Sequence, residues 1–175
     1  AELEAAIVAA NAGTITSITL TTNIVLTSAL TPIAPPSATL NIQGGGFTLS
    51  RDPASPTSFR ILAVFSGSTN VSDLTISGGD AALATTSGMG GGIFNSSPSL
   101  TLTNCSLLNN VAESYGGAIH NEGFATLNNC TLSNNTANWG GGISTETSML
   151  IQGGTMINTN QSWLLGGGIY NSATL

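Results

Sequence analysis

His120 is the chain's single histidine, and histidine is the side chain best suited to acid–base chemistry near neutral pH. A general base also needs a partner that orients it and usually a companion acid. Glu122 is close in sequence but is a lone candidate. The three glutamates Glu113, Glu122 and Glu146 are expected at non-equivalent corners of the fold. This pattern predicts an outward-facing surface histidine and no catalytic residue.

The two cysteines, Cys105 and Cys130, are 25 residues apart. If they occupy equivalent inward positions in stacked strands, their Cα atoms lie about 4.8 Å apart, which is within disulfide range. Side chains of in-register parallel neighbours point the same way, however, and this strains the bridge. The sequence therefore leaves two alternatives open: two buried free thiols, or a disulfide between them. No histidine lies near them in the repeat, so the sequence predicts no metal site and no cofactor.

A glycine phrase recurs four times, at residues 90–93, 116–119, 140–143 and 166–169, and ends each time in isoleucine. A phosphate-binding loop needs a following lysine and a helix, and the chain has no lysine. The isoleucines are 26, 24 and 26 residues apart. A strand-like repeat of this length is typical of a solenoid, in which each glycine phrase forms one corner.

The alternation of apolar residues between the glycine phrases predicts three short strands per coil. Stacking the coils pairs their backbones and aligns like residues in ladders. Asn95, Asn121 and Asn171 stand two residues after the isoleucine, with Thr145 in the remaining copy. The stacked Asn side chains are expected to hydrogen-bond along the axis. Met156 is expected to align with Leu132. The predicted fold is therefore all-β, a single-stranded parallel β-helix of about six three-strand coils.

The chain is predicted to begin with a short amphipathic capping helix over residues 1–13. Leu3, Ile7 and Ala10 lie on one stripe at helical spacing, and Gly13 is a plausible stop. Residues 14–175 form the β-helix, whose last coil is expected to be incomplete, as in a fragment or at the end of an assembly.

Charge is scarce: two arginines, no lysine and a formal net charge of −6. The lack of a basic patch argues against nucleic acid or an anionic membrane as a partner. No apolar run reaches the roughly 18 residues that a membrane-spanning helix needs.

Bulky side chains stand immediately before the glycine phrases, and rings stand just after the isoleucines. These residues either pack on each other over the turns or form a strip that binds sugar rings or a protein partner. The candidate binding residues are Met89, Phe94, Tyr115, His120, Trp139, Trp163 and Tyr170.

The Gly-Gly-Ala-Ile phrase at 116–119, with Leu-x-x-Asn at 107–110 and 132–135, resembles the GGA[ILV] and FxxN repeats of polymorphic outer-membrane proteins. The start of the chain, LEAAIVAANAG, resembles exported bacterial proteins with a CSLREA-type segment. The resemblance implies a right-handed parallel β-helix located outside the cell or on the bacterial cell surface.

Two functions are compatible with these features. The first is a structural or adhesive surface protein, not an enzyme, with end-to-end assembly into a fibre as one of its forms. Its partners would be copies of itself or proteins of a host or cell surface. The alternative is a carbohydrate-binding or polysaccharide-degrading β-helix module, whose partner is a glycan.

Overall fold

The computed structural model describes residues 2–36, 38–82 and 87–173. The described residues form helix α1, Glu2–Asn11, and 21 short strands. The strands are β1 Ser17–Thr19, β2 Ile24–Leu26, β3 Leu40–Gln43, β4 Thr48–Arg51, β5 Leu62–Val64, β6 Ser68–Ser72, β7 Thr75–Ser77, β8 Asp80–Ala81, β9 Ile93–Asn95, β10 Ser99–Thr103, β11 Ser106–Leu108, β12 Val111–Ala112, β13 Ile119–Asn121, β14 Ala125–Asn128, β15 Thr131–Ser133, β16 Thr136–Trp139, β17 Ile143–Thr145, β18 Met149–Gln152, β19 Met156–Asn158, β20 Gln161–Leu165 and β21 Ile169–Asn171.

The strands stack into parallel sheets that run along a common axis. Sheet A has the order β1-β3-β6-β10-β14-β18, and sheet B has β2-β4-β7-β11-β15-β19. Sheet C has β5-β9-β13-β17-β21, and sheet D has β8-β12-β16-β20. Each layer of the stack is one coil of the chain. Six strands in sheets A and B correspond to the expected number of coils, so the predicted parallel β-solenoid is confirmed.

Three strands were expected in each coil. Sheet D adds a fourth strand in four of the coils. Its strands β8 and β12 have only two residues, and its inner side is a small separate cluster of Ala81, Ala112 and Ala137. Such short alanine-containing strands carry too little apolar pattern to be recognised in the sequence.

The core is built from ladders of identical or similar side chains. In sheet C, Leu62, Ile93, Ile119, Ile143 and Ile169 pair in register. Each fully buried aliphatic side chain contributes roughly 1.5–3 kcal/mol. Because every coil repeats the same inward positions, stacking alone builds one continuous core.

The last strand of sheet B differs from the expected register by one residue. Thr131 pairs with Met156, and Leu132 pairs with Ile157. Three residues connect β18 to β19, whereas only Asn129 and Cys130 connect β14 to β15. The extra residue turns Met156 outward, because a one-residue shift moves a side chain to the other face of a strand.

Helix α1 packs on the first coil through Leu3, Ile7 and Ala10, which join the main core. Glu4 accepts hydrogen bonds from the backbone N and the hydroxyl of Thr31, and these bonds lower the pKa of Glu4. The helix and the proline-containing loop that follows β2 are thus fastened to each other.

Candidate functional site

A column of bulky side chains runs along the boundary between sheets D and C. Met89, Tyr115 and Trp139 are aligned by parallel backbone bridges, and Leu165 continues the column above Trp139. The rings of Tyr115 and Trp139 stack with centroids 4.8 Å apart and planes 20° apart. Each ring therefore covers one face of the other.

The glycine that follows each column residue fixes this arrangement. Gly116 and Gly140 have positive φ values of 65° and 66°. A Cβ on Gly116 would lie 2.1 Å from the carbonyl oxygen of Ile119, so only glycine permits this tight corner. The corner places the preceding ring on the outer flank of the solenoid.

A second file lies beside the column on the outer face of sheet C. Phe94, His120, Ser144 and Tyr170 pair in register. The His120 ring lies 5.7 Å from both Phe94 and Tyr115, and Tyr115 lies 6.2 Å from Tyr170. We refer to Met89, Phe94, Tyr115, His120, Trp139 and Tyr170 as the aromatic strip.

The expectation that His120 is a surface residue is wrong, because the ring is fully buried. Its position does face outward from the sheet, but Tyr115 and Phe94 lie against it. Its Nδ1 atom, like Ser144 Oγ, has no hydrogen-bond partner among the described residues. Burial lowers the pKa of His120, although the nearby carboxylate of Glu122 opposes that effect.

Two carboxylates converge on the buried imidazole, which the sequence reading did not anticipate. His120 Nε2 is 3.3 Å from Glu122 Oε1 and 3.9 Å from Glu146 Oε1. The two acids stand at equivalent positions: the Glu122 amide donates to Asn95 O, and the Glu146 amide donates to Asn121 O. The expected separation of Glu122 and Glu146 at non-equivalent corners is therefore wrong.

This arrangement places two negative charges at the surface and offers little for acid–base catalysis by His120. The imidazole has no contact with solvent, so in this conformation it cannot meet a substrate. The side chains of Glu122 and Glu146 remain 37% and 49% exposed. The ring is thus hydrogen-bonded to Glu122, and Glu146 lies nearby, so two carboxylates stand at the surface beside the aromatic strip.

Two further side chains, which the sequence reading did not select, extend the strip toward the start of the chain. Phe65 meets Phe94 edge-on, with ring centroids 5.8 Å apart. The guanidinium carbon of Arg60 lies 4.6 Å from the centroid of the Phe94 ring, a cation–π contact. Their position next to β5 is the signal that could have identified them, because β5 pairs with β9, the strand that contains Phe94.

Trp163 lies in β20 and is 77% exposed. The ring contacts found among the described residues do not connect it with the strip. The structure therefore brings together six of the seven candidate binding residues.

The cysteines are buried as two free thiols. Cys105 Sγ donates to Thr103 O at 3.4 Å, and Cys130 Sγ donates to Asn128 O at 3.5 Å. The neighbouring Cys130 thiol, together with burial, raises the pKa of Cys105. A buried thiol held in its protonated form is a poor nucleophile.

The described part of the chain contains no cluster of three or more histidine, cysteine or acidic side chains that could hold a metal ion. In the same residues, no helix has both the length and the apolar character needed to cross a membrane.

Comparison with known families shows that two segments of the chain are similar to a known repeat. The model of the Chlamydia polymorphic membrane protein (Chlamydia_PMP) repeat matches residues 104–122 and 129–146. The matched segments include the glycine phrases at 116–119 and 140–143, which form the corners beside Tyr115 and Trp139. The protein is thus a parallel β-solenoid with repeats similar to those of polymorphic membrane proteins, and this similarity points to the bacterial surface.

Searches of the curated proteins and of the solved structures found no match.

Proposed function

We propose that this chain is the β-helical part of an adhesive protein on the bacterial cell surface, and that it binds a protein partner through the aromatic strip. The observation that carries the proposal is the stacked pair of Tyr115 and Trp139 within repeats of the polymorphic membrane protein type. Aromatic side chains held rigidly by their neighbours are common anchors of protein interfaces.

The geometry favours a protein partner over a stacked sugar. A sugar ring packs on the face of an aromatic ring, but Tyr115 and Trp139 cover one face of each other. The backbone alignment places Met89 below Tyr115 and Leu165 above Trp139. A partner that approaches the flank therefore meets mainly ring edges, which suit the mixed apolar and polar surface of a protein.

Adhesion can be measured with fluorescent beads that carry the chain and are offered to cultured epithelial cells. We expect wild-type beads to adhere and Trp139→Ala beads to adhere at least about fivefold less, because removing an interface anchor commonly costs 1 kcal/mol or more. Phe124→Ala is the matched control, since Phe124 is an aromatic residue outside the strip and is 43% exposed. Equal adhesion of the Trp139→Ala and wild-type beads would contradict the proposal.

End-to-end association is a second candidate, favoured by one observation. The side chains of Ile151, Met156, Leu164 and Ile169 are exposed on the last coil. The free edges of its strands could pair with strands of another copy. Sedimentation velocity at increasing protein concentration tests this candidate, and a monomer at every concentration would exclude it for this chain.

A further inference from the structure

A groove lies beside the lower end of the aromatic strip and was not anticipated in the sequence. Its volume is about 490 Å³, which is within the usual range for pockets that take a small ligand or a side chain. Most of its walls are apolar. They come from the loop after β2, from the segment around β5 and from the strip itself, and include Leu30, Pro32, Phe59, Phe65, Met89 and Phe94.

The mouth of the groove presents an aromatic side chain to solvent. Phe65 is 47% exposed although it meets Phe94 edge-on. One face of Phe94 is already covered by Arg60. An apolar side chain entering the groove would remove the exposed part of Phe65 from water, which is favourable.

The charge around the groove is negative on balance. Glu122 lines the groove, and Glu146 approaches the same nitrogen of His120, so the two carboxylates lie close together. Arg60 is the cation that lines the groove, and it is half-buried against Phe94. His120 stays neutral near pH 7 because burial lowers its pKa. The two partly exposed carboxylates thus outnumber the one guanidinium, which favours a cation and disfavours an anion at the rim.

We propose that this groove binds an apolar side chain, aromatic or long aliphatic, of a protein partner in which a lysine or arginine flanks that side chain. The apolar group enters the groove and packs against the exposed part of Phe65. The flanking cation pairs with Glu122 and Glu146. This assignment rests on the proposed adhesive function, for which it supplies the chemistry of the partner.

Three tripeptides, acetylated and amidated at their ends, serve as probes for the intact chain: Lys-Trp-Lys, Glu-Trp-Glu and Lys-Ala-Lys. Binding is followed by the amide shifts of the ¹⁵N-labelled protein. We expect Lys-Trp-Lys to produce saturable shifts around residues 60–65, 89–94 and 122, with the other two peptides at least about tenfold weaker. Equal binding of Glu-Trp-Glu, or shifts located elsewhere, would overturn the assignment.

Two variants separate the apolar and the electrostatic parts of the site. Phe65→Ala should weaken Lys-Trp-Lys binding at least about fivefold, while Phe124→Ala leaves it unchanged. Glu122→Gln is close in shape to the native residue, and it should reduce the preference for Lys-Trp-Lys over Glu-Trp-Glu. Glu2→Gln removes an equal charge from helix α1 and should not reduce it. A preference unaffected by Glu122→Gln would contradict the role given to the carboxylates.

The bead assay distinguishes failure of this site from failure of the proposed function. If wild-type and Phe65→Ala beads adhere equally and no peptide binds, the groove assignment is wrong and adhesion stands. If Lys-Trp-Lys binds as expected but the beads do not adhere, the adhesive function is wrong and the groove stands as a binding site.

Discussion

His120 is buried although it stands in an outward file of sheet C, because the neighbouring rings of Tyr115 and Phe94 lie against it. The equivalent position in the neighbouring coil is occupied by Phe94, which shows that this position of the repeat accommodates an uncharged ring. A neutral imidazole is compatible with this burial, whereas an imidazolium would have to give up most of its hydration.

The stability of the protein should therefore fall as the pH decreases from 7 to 5. The imidazole titrates near 6.5 in the unfolded chain, and burial lowers its pKa in the folded chain. Below 6.5 the unfolded state binds more protons than the folded state, so the free energy of unfolding decreases until the folded pKa is passed. Urea denaturation at several pH values measures this decrease. The decrease should be smaller in His120→Phe, and equal slopes would contradict the argument.

Asn121 shows how a buried polar side chain is satisfied in the solenoid. Its Oδ1 accepts from Asn95 Nδ2 at 2.7 Å, and its Nδ2 donates to Thr145 Oγ1 at 3.0 Å. The predicted hydrogen bond between Asn95 and Asn121 is thus confirmed, and Thr145 extends this ladder. The Asn171 Oδ1 atom accepts a hydrogen bond from the Ala173 amide. A second ladder, in which Asn110 donates to Asn135 and Asn135 donates to Asn160, lies at another corner, and its Asn110 and Asn135 are buried.

Replacing Asn121 by alanine should destabilise the protein by about 2–3 kcal/mol, because buried groups in two adjacent coils lose their partners. Asn70→Ala is the matched control. Asn70 also donates to an asparagine in the neighbouring coil, Asn41, but it is exposed, so we expect a cost below about 1 kcal/mol. Urea denaturation gives both values, and similar costs at the two positions would contradict a special role for burial.

At the scale of the element, the corners between strands depend on residues in the left-handed region. Asp73, Asn104 and Asn129 have φ values of 53°, 53° and 54° at equivalent corners between sheets A and B. Asn129 donates to Asn104, which donates to Asp73, so their side chains also form a ladder along the surface. Asparagine and aspartate tolerate this conformation better than other residues that carry a Cβ atom.

The glycine corner beside Tyr115 should be far less tolerant of substitution. Gly116→Ala combines a positive φ with a clash against the backbone at Ile119, so we expect a loss of about 2–5 kcal/mol. Gly46→Ala is the control, because Gly46 has a φ of 81° but no atom near the added Cβ. Its cost should stay at about 1–2 kcal/mol. Equal thermal shifts for the two variants would show that the clash is relieved by local movement.

At the scale of the whole molecule, stability should be distributed unevenly along the axis. The middle coils bury their ladders completely, whereas β18, β19 and β21 leave apolar side chains exposed. In a solenoid each coil contacts mainly its neighbours, so local opening is easiest where least surface is buried.

Amide hydrogen exchange can reveal this gradient. Amides in β18–β21 should exchange at least about tenfold faster than those in β10–β15, because opening the last coil breaks fewer buried contacts. Mass spectrometry of peptic fragments measures the rates. Uniform protection from β10 to β21 would instead indicate that the coils open as one unit.

The repeat in the sequence predicted much of the fold, because the positions of Ile93, Ile119, Ile143 and Ile169 recur with every coil. Sheet D was not predicted, since its strands β8 and β12 have only two residues each and almost no pattern of their own. The register of β19 was predicted wrongly, because one additional residue between Gln152 and Met156 reverses which side chains face inward.

The candidate site was predicted only in part. Residues of the aromatic strip share a repeated position, so the sequence grouped Met89, Tyr115 and Trp139 correctly. Phe65 and Arg60 occupy no such position, and only their proximity to Phe94 joins them to the strip. The convergence of Glu122 and Glu146 on His120 also depended on the exact alignment of two coils.

The sequence by itself determined the solenoid, the glycine corners and the inner ladders of this protein. These features follow from the preferences of single residues and from their spacing, which repeats regularly along the chain. The tertiary structure alone decided that His120 is buried, that two carboxylates meet beside it and that a groove opens next to Phe94. Such features depend on distances between side chains from different coils, which vary with each turn length and each covering ring.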